Sequence, residues 1–434
     1  MRKILFLLIS LASFVFVFAQ EKNDAVKENE FTVDAQIRTR AEYRNGALNP
    51  RLENQLPASF INDRARFSIG YKRSNLQMKL SAQQVGVWGQ SPQVDRAGNG
   101  YMLNEAWARL NFSYGFFAQL GRQLLVYDDE RILGALDWNT SGRSHDALKL
   151  GWEQDANKLH LILAFNQNDE KALGGSYYAA GGQPYKTMQS LWYGYKTKDN
   201  PFDFSALLLN LGLEGGDAAT FKSKVFNIQT LGANVGYAPS KWKIAASLYF
   251  QTGKTVADAS ISAFMASISA NGSLTDKFGL KAGLDYLSGD NQENASYQAF
   301  NPLYGTHHKF YGSMDYFYAN AFKSGLNPGL VDPYIGINLK TAKSATLSAN
   351  YHYFMIANDV LNATTNENIK KGLGSEIDLQ FDCTLMKNVS LTIGYSTMFG
   401  TASMDYVKGG NHKSWQDWGW ISLNINPQIL FVKW

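Results

Sequence analysis

Charged residues crowd into one stretch of the sequence, from Gly121 to Leu150, and their types could lock a loop in place. The charged side chains of this stretch include Arg122, Asp128, Asp129, Glu130, Arg131, Asp137, Arg143 and Asp146. Guanidinium and carboxylate groups this close can form charge-assisted hydrogen bonds. We predict that four of them form one ion-pair network: Arg122, Asp129, Arg131 and Asp146. The alternative is a solvated hairpin connection whose charges meet only water.

Other chemistry finds less support in the sequence. Three consecutive carboxylates, Asp128 to Glu130, could bind a divalent cation, but dedicated calcium loops need more ligands than this stretch offers. No serine lies in a G-x-S-x-G motif, and no histidine pair has the H-E-x-x-H spacing of a zinc site. We therefore predict no catalytic site, no metal and no cofactor, and expect the arginines to be the partners of the acidic cluster.

The elements that must position these residues read as β-strands. In the first one, Phe31, Val33, Ala35 and Ile37 alternate with Asp34, Gln36, Arg38, Arg40 and Glu42. A period of two indicates a strand with one apolar and one polar face. The pattern recurs to the last segment, 420–434, and gives about 18 strands. Short turns such as 239–241 alternate with long polar segments such as 288–305, which is typical of an outer-membrane barrel.

The N-terminus reads as a targeting segment. Arg2 and Lys3 precede an apolar run from Ile4 to Phe18, and Ala19 is a small residue suited to cleavage, so residues 1–19 form a predicted signal peptide. Residues 20–30 form a flexible lead-in, and residues 31–434 form the barrel. The formal net charge of +4 falls when Arg2 and Lys3 are removed and does not suggest a nucleic-acid partner. The single cysteine, Cys383, excludes an intramolecular disulfide.

The charged stretch also carries a family resemblance. Its motifs GRQ, YDD, RILG, DW and GRS-x-DAL, and a second stretch from Tyr304 to Phe317, resemble the alginate export family of outer-membrane β-barrel porins. The likeness covers most of the mature chain. It implies an all-β fold, a transmembrane antiparallel up-and-down β-barrel of about 18 strands in the outer membrane of a Gram-negative bacterium.

In such a barrel the polar faces of the strands look into the lumen. The residues that we predict to line the pore and to set its selectivity are Arg38, Arg40, Arg64, Arg66, Arg109, Arg122, Asp129, Arg131, Arg143, Asp146 and Lys149. Glu376, Asp378 and Asp382 would lie on an opposing acidic wall. Aromatic residues near strand ends, such as Trp88, Tyr101, Trp192 and Tyr249, are predicted to lie at the bilayer interfaces.

Rings of arginine and lysine side chains around a pore favour the passage of anions. Inward-facing charges can also serve only to form ion pairs with one another. The resemblance implies a passive channel for anionic saccharides or small anionic solutes, acting as a monomer in contact with outer-membrane lipid. Two alternatives stay open: a general diffusion porin without a role in alginate export, and a secreted soluble carbohydrate-binding β protein. An outer-membrane hydrolase would need a nucleophile near a histidine on the lipid-facing rim, and we identify none in the sequence.

Overall fold

Antiparallel strands account for most of the chain, and a computed structural model describes residues 28–91, 100–167, 170, 185–217, 222–291, 296–319 and 321–434. The predicted signal peptide and all but the last residues of the predicted lead-in lie outside these described residues. Within them, eighteen strands each pair with the next one in sequence. The last strand pairs with the first, which closes the sheet. The predicted all-β barrel of about 18 strands is therefore confirmed.

The strands are β1 (Glu30–Asn45), β2 (Ala58–Arg73), β3 (Leu76–Val87), β4 (Tyr101–Asn111), β5 (Phe116–Gln123), β6 (His145–Gln154), β7 (Asn157–Phe165), β8 (Thr187–Lys196), β9 (Phe202–Asp217), β10 (Lys222–Tyr237), β11 (Trp242–Lys254), β12 (Ser260–Ser273), β13 (Phe278–Leu287), β14 (Leu330–Ala342), β15 (Ala345–Met355), β16 (Gly372–Met386), β17 (Val389–Gly400) and β18 (Asp417–Ile425, continuing as Gln428–Lys433). A helix, α1 (Ala402–Lys408), and two-residue strands at Ser296–Tyr297, Leu361–Asn362 and Glu367–Asn368 lie in the connections.

The two ends of the barrel differ in their connections. At the turn end, where β1 begins and β18 ends, strands are joined by tight turns such as 74–75, 155–156 and 387–388. At the loop end the connections are long and include 46–57, 124–144, 288–329 and 356–371. This asymmetry is the one that outer-membrane barrels show. No helix in the described part of the chain is long and apolar enough to cross a membrane.

The outer surface of the barrel is apolar. Ile37 and Leu120 are 56% and 64% exposed, whereas Arg40 and Glu42, on the opposite face of β1, are buried. A soluble protein rarely exposes apolar patches of this extent, so the exposed face is suited to lipid. The aromatic prediction holds for the exposure of Trp88 and Tyr101 but is wrong for others: Tyr249 is buried inside the barrel, and Trp192 lines the lumen.

Two of the loop-end connections fold back into the barrel. We call residues 124–144 inner loop A and the described residues of 288–329 inner loop B. They meet in a short parallel bridge at Leu133 and Tyr304, where the Tyr304 N–H donates to the Ile132 carbonyl at 3.0 Å and the Gly134 N–H donates to the Tyr304 carbonyl at 3.0 Å. The two inner loops therefore form one body that narrows the lumen.

The inner loops are held by a hydrophobic core inside the barrel. Leu125, Leu133, Phe300, Leu303 and Phe317 are almost fully buried in it, and so are wall residues whose side chains face inward from β8, β9, β10 and β12, among them Met188, Leu209, Leu211, Ile228 and Met265. The expectation that inward faces are polar throughout is therefore wrong at the loop end of this wall. The apolar inward residues are present because they pack against inner loops rather than water.

Candidate functional site

The constriction is built around Arg131 of inner loop A. Its guanidinium binds the carboxylate of Asp285 on β13 with two hydrogen bonds, Nη2 to Oδ1 at 2.8 Å and Nη1 to Oδ2 at 3.0 Å, and its Nε donates to Asp129 Oδ2 at 2.8 Å. The Phe310 ring of inner loop B covers the guanidinium at 3.9 Å. Burial lowers the pKa of Arg131, but the facing Asp285 and the other acidic neighbours outweigh it, so the pKa is raised. Arg131 is thus a fixed cation that ties inner loop A to the wall.

The acidic cluster that precedes Arg131 is fully engaged by the protein. Asp128 accepts hydrogen bonds from Trp192 Nε1 at 3.0 Å and from Ser205 Oγ at 2.5 Å, and burial raises the pKa of this carboxyl. Glu130 accepts from Thr306 Oγ1 at 2.9 Å and from Lys309 Nζ at 3.2 Å. No cluster of three or more metal-binding side chains occurs among the described residues. These carboxylates therefore position the inner loops.

The arginines of β1 and β2 bind the backbone of inner loop A. Arg38 Nη1 donates to the Asp137 carbonyl at 2.7 Å, and Arg40 Nη1 donates to the Trp138 carbonyl at 2.8 Å. Arg64 lies 2.9 Å from Asp137 Oδ1. Backbone carbonyls are good acceptors for guanidinium, and hydrogen bonds to charged groups are about twice as strong as neutral ones. We call Arg38, Arg40, Arg64 and Arg66 the arginine wall. All four face the lumen, and the first three bind inner loop A directly.

Arg66, the fourth member, has different partners. Its Nε donates to Gln83 Oε1 at 2.8 Å and its Nη2 donates to Asn104 Oδ1 at 3.1 Å. Gln83 Nε2 in turn donates to the Ser141 carbonyl of inner loop A at 2.7 Å. Arg66 therefore supports the loop through a second side chain.

Trp138 joins the arginine wall to inner loop B. Its ring stacks on His308 with centroids 3.9 Å apart and planes tilted by 11°, and the Arg40 guanidinium lies 4.0 Å from its centroid. Trp418 and Trp420, inward-facing residues of β18, meet Trp138 edge-on. A guanidinium over an aromatic face is attracted to it. The Asp137-Trp138 motif therefore holds inner loop A between the arginine wall and inner loop B. The motif carries part of the family resemblance, but the sequence does not reveal these partners.

Two residues predicted to line the pore lie outside it. Arg122 on β5 and Asp146 on β6 are cross-strand partners with contacts of 2.7 and 3.0 Å. They share the face of Leu120, which points outward, and both side chains are well exposed. The predicted single network of Arg122, Asp129, Arg131 and Asp146 is therefore wrong. The four residues form two separate ion pairs. Strand alternation places Arg122 and Asp146 on the outward faces of β5 and β6, whereas Asp129 and Arg131 belong to inner loop A inside the barrel.

The remaining predicted residues lie on the inner side. Arg109 on β4 stacks on the Phe117 ring at 3.5 Å and lies 3.5 Å from Glu153. Lys149 on β6 lies 6.0 Å from the same Phe117 ring. Arg143 Nη1 donates to the Gly305 carbonyl of inner loop B at 3.0 Å. Arg143 thus joins the two inner loops, whereas Arg109 and Lys149 belong to the wall.

A cavity of about 620 Å³ lies in the lumen beside the constriction. It reaches from Asp129 and Arg131 toward the turn end, and its lining includes four lysines that the sequence analysis did not select: Lys158, Lys196, Lys243 and Lys281. These lysines form no ion pair with any described residue. They could have been found by following the period-two alternation along β7, β8, β11 and β13, which places each on the inner face.

Comparison with known proteins agrees with this geometry. Among solved structures, the fold is similar to that of Pseudomonas aeruginosa OccK9 (OpdG), with a TM-score of 0.61 and 13% identity over 93% of this chain and 98% of that one. Acinetobacter baumannii OccAB4 is similar at a TM-score of 0.58 and 10% identity, over 95% of this chain and 100% of that one. No curated protein matches the sequence significantly.

The sequence profile of the family described as Alginate export matches residues 27–404. The match spans the strands from β1 to β17, both inner loops and the arginine wall. The chain therefore belongs to the alginate export family, and it is a porin-type channel of the Gram-negative outer membrane.

Proposed function

We propose that this porin is a passive, non-catalytic channel that favours anionic solutes, anionic saccharides among them. The observation that supports this is the group of lysines on the lumen cavity, Lys158, Lys196, Lys243 and Lys281, which have no ion pair in the described part of the chain. Basic side chains that line a pore concentrate anions and repel cations. The pairing of β1 with β18 closes the barrel within one chain, so no second copy is needed to complete it, and we propose that the protein functions as a monomer.

The carboxylates of the cavity offset this charge only in part. Asp285 and Asp129 are both bound by Arg131, and Asp128 is held by Trp192 and Ser205. Asp203 lies opposite Lys196 in the strand register, and Asp378, predicted to lie on the acidic wall, also lines the cavity, 3.8 Å from His352. These two carboxylates offset some of the positive charge of the four lysines. The excess charge toward the turn end therefore stays positive, and we place the selectivity of the channel there.

The residues predicted from the sequence divide into two roles in this proposal. Arg109 and Lys149, which belong to the lumen wall, act directly on passing anions. The arginine wall, Arg131 and Arg143 act through the position of the inner loops, which sets the width of the path. Arg122 and Asp146 have no part in selectivity because they face outward.

The lysines can be tested together. We expect the triple variant Lys158→Gln, Lys196→Gln, Lys243→Gln to lose most of the anion preference of the channel at low salt. In the unmutated channel the anion preference should fade by about 1 M salt, where the screening length is about 3 Å. The measurement is the reversal potential in a planar bilayer under a KCl gradient, with oligouronates as blockers.

The matched control for this test is Lys241→Gln. Lys241 is exposed at a turn and lies 3.1 Å from Asp276, outside the lumen, so its loss should leave the reversal potential unchanged. A cation preference of the unmutated channel would contradict the proposal. Equal currents of cations and anions would identify a general diffusion porin instead.

A further inference from the structure

A second cavity lies at the loop end, apart from the lumen cavity. It has a volume of about 550 Å³ and is bounded by inner loop B, by the wall strands β9 to β12, through residues such as Leu213, Ile228 and Ile261, and by the connection 255–259. None of its lining residues lines the lumen cavity. Pockets for small ligands commonly have volumes of about 300–1,000 Å³ and mostly apolar walls with a few polar groups. We propose that this cavity binds a small uncharged molecule with a hydroxyl-bearing aromatic ring.

The walls of the cavity suit a flat apolar ring. Leu213, Ile228 and Ile261 project from the strands, while Tyr297 and Phe300 contribute aromatic rings from inner loop B. Aromatic rings associate in offset or edge-on arrangements and contribute about 0.5–1.5 kcal/mol beyond the area that they bury. The composition of the walls therefore favours a ring over an open-chain solute.

The cavity offers nothing to balance a charge. Among the residues that the structure describes, its lining includes no aspartate, glutamate, lysine or arginine. The histidine in the lining, His307, is neutral near neutral pH, because burial, with a contribution from Arg143, lowers its pKa to about 4. Burying an unpaired charge is costly. The ligand is therefore uncharged, in contrast to the solutes that the lumen lysines attract.

The hydroxyl requirement comes from polar atoms of the lining residues. Tyr318 Oη, His307 Nε2 and Asn327 Oδ1 are buried and have no hydrogen-bond partner among the described residues. A buried polar group without a partner costs about 1–3 kcal/mol. A ligand hydroxyl that donates to His307 Nε2 or Asn327 Oδ1 would recover part of this cost. In the structure these atoms are enclosed by protein, so binding includes a side-chain rotation toward the ligand.

The opposite side of the cavity is fixed. Gln251 on β11 donates from Nε2 to Thr230 Oγ1 at 3.2 Å and to the Asn301 carbonyl at 2.7 Å, and its Oε1 accepts from the Asn301 N–H at 2.9 Å. These bonds connect two wall strands to inner loop B. The cavity therefore has a rigid base that is formed before a ligand arrives.

A pair of probes of the same shape tests the inference: 4-hydroxybenzyl alcohol, which is neutral, and 4-hydroxybenzoate, which is an anion. Binding of each to the purified full chain in detergent micelles is measured by calorimetry. We expect the neutral probe to bind, and its affinity to fall at least about tenfold in Ala299→Phe, which fills the cavity from a buried lining position. The anion should show no binding that depends on this substitution.

Two further variants complete the test. Tyr318→Phe removes only a hydroxyl and should lower the affinity for the neutral probe several-fold. If Ala299→Phe does not fold, Tyr318→Phe alone tests the inference. Lys243→Gln, in the lumen cavity, should leave binding of the neutral probe unchanged while it alters ion selectivity. The inference is overturned if the neutral probe does not bind, if both cavity variants bind it with unaltered affinity, or if glucose binds in its place.

Discussion

Replacing Arg131 by alanine should destabilise the constriction by about 3–5 kcal/mol, the range measured when one partner of a buried ion pair is removed. Asp285, which is 1% exposed, would keep its charge without its partner, and the Phe310 ring would lose the cation that it covers. We expect inner loop A to detach, the unitary current to become larger and noisier, and the folded, SDS-resistant form to convert at a lower temperature. Single-channel recording and a heat-modifiability gel measure the two effects.

The control is Arg122→Ala, which removes the other two-pronged arginine–aspartate pair of this region. Its partner Asp146 is exposed, and surface ion pairs contribute about 0–1 kcal/mol, so the thermal midpoint and the current should change little. The double variant Arg131→Met, Asp285→Leu should recover most of the lost stability, since an apolar pair can replace a buried ion pair. If Arg131→Ala behaves like Arg122→Ala, the buried pair does not hold the loop.

The second large effect is expected from the arginine wall. The double variant Arg38→Gln, Arg64→Gln removes two guanidiniums that bind Asp137 and its neighbouring carbonyls. Each hydrogen bond to a charged group contributes about 1.5–3 kcal/mol, so the 137–140 segment should lose most of its attachment to β1 and β2. We expect a larger unitary conductance and weaker size exclusion of neutral polymers, both measured in planar bilayers.

Arg109→Gln is the matched control for the arginine wall. Arg109 also faces inward and carries the same charge, but its partners are Phe117 and Glu153 of the wall strands. Conductance should therefore stay near that of the unmutated channel. An altered ion preference at unchanged conductance in the Arg38, Arg64 variant would show instead that the arginines act directly on passing ions.

The alternation of apolar and polar residues was enough to predict the barrel, because a strand with one lipid-facing side leaves a period-two pattern that is independent of its partners. It was also enough to place Arg122 outward, in the same parity as Leu120. A lumen position for Arg122 would require a bulge or the strand end to break the alternation, but β5 pairs with β4 and β6 through Arg122 without a register shift, so the prediction is wrong there.

What the sequence could not reveal is the pairing of distant segments. Asp285 is separated from Arg131 by 154 positions, and Arg38 binds a backbone carbonyl that lies 99 positions away and has no side-chain signature. The apolar inward faces of β8 to β12 did not reveal the inner loops in the sequence. A wall that packs against a folded loop has the same residue types as one that faces lipid. Periodicity reports the character of a face and not the partner that covers it.

The bridge between the inner loops and the wall also constrains the order of assembly. Inner loop A follows β5, yet its main anchors lie on β1, β2 and β13, and Trp138 rests against β18. Closing contacts over such separations costs chain entropy that is recovered only once the partners are in place. We therefore expect the two inner loops to settle after the last strand has met the first. A newly inserted barrel would then have a wide lumen, which narrows when the inner loops fold inside the closed barrel.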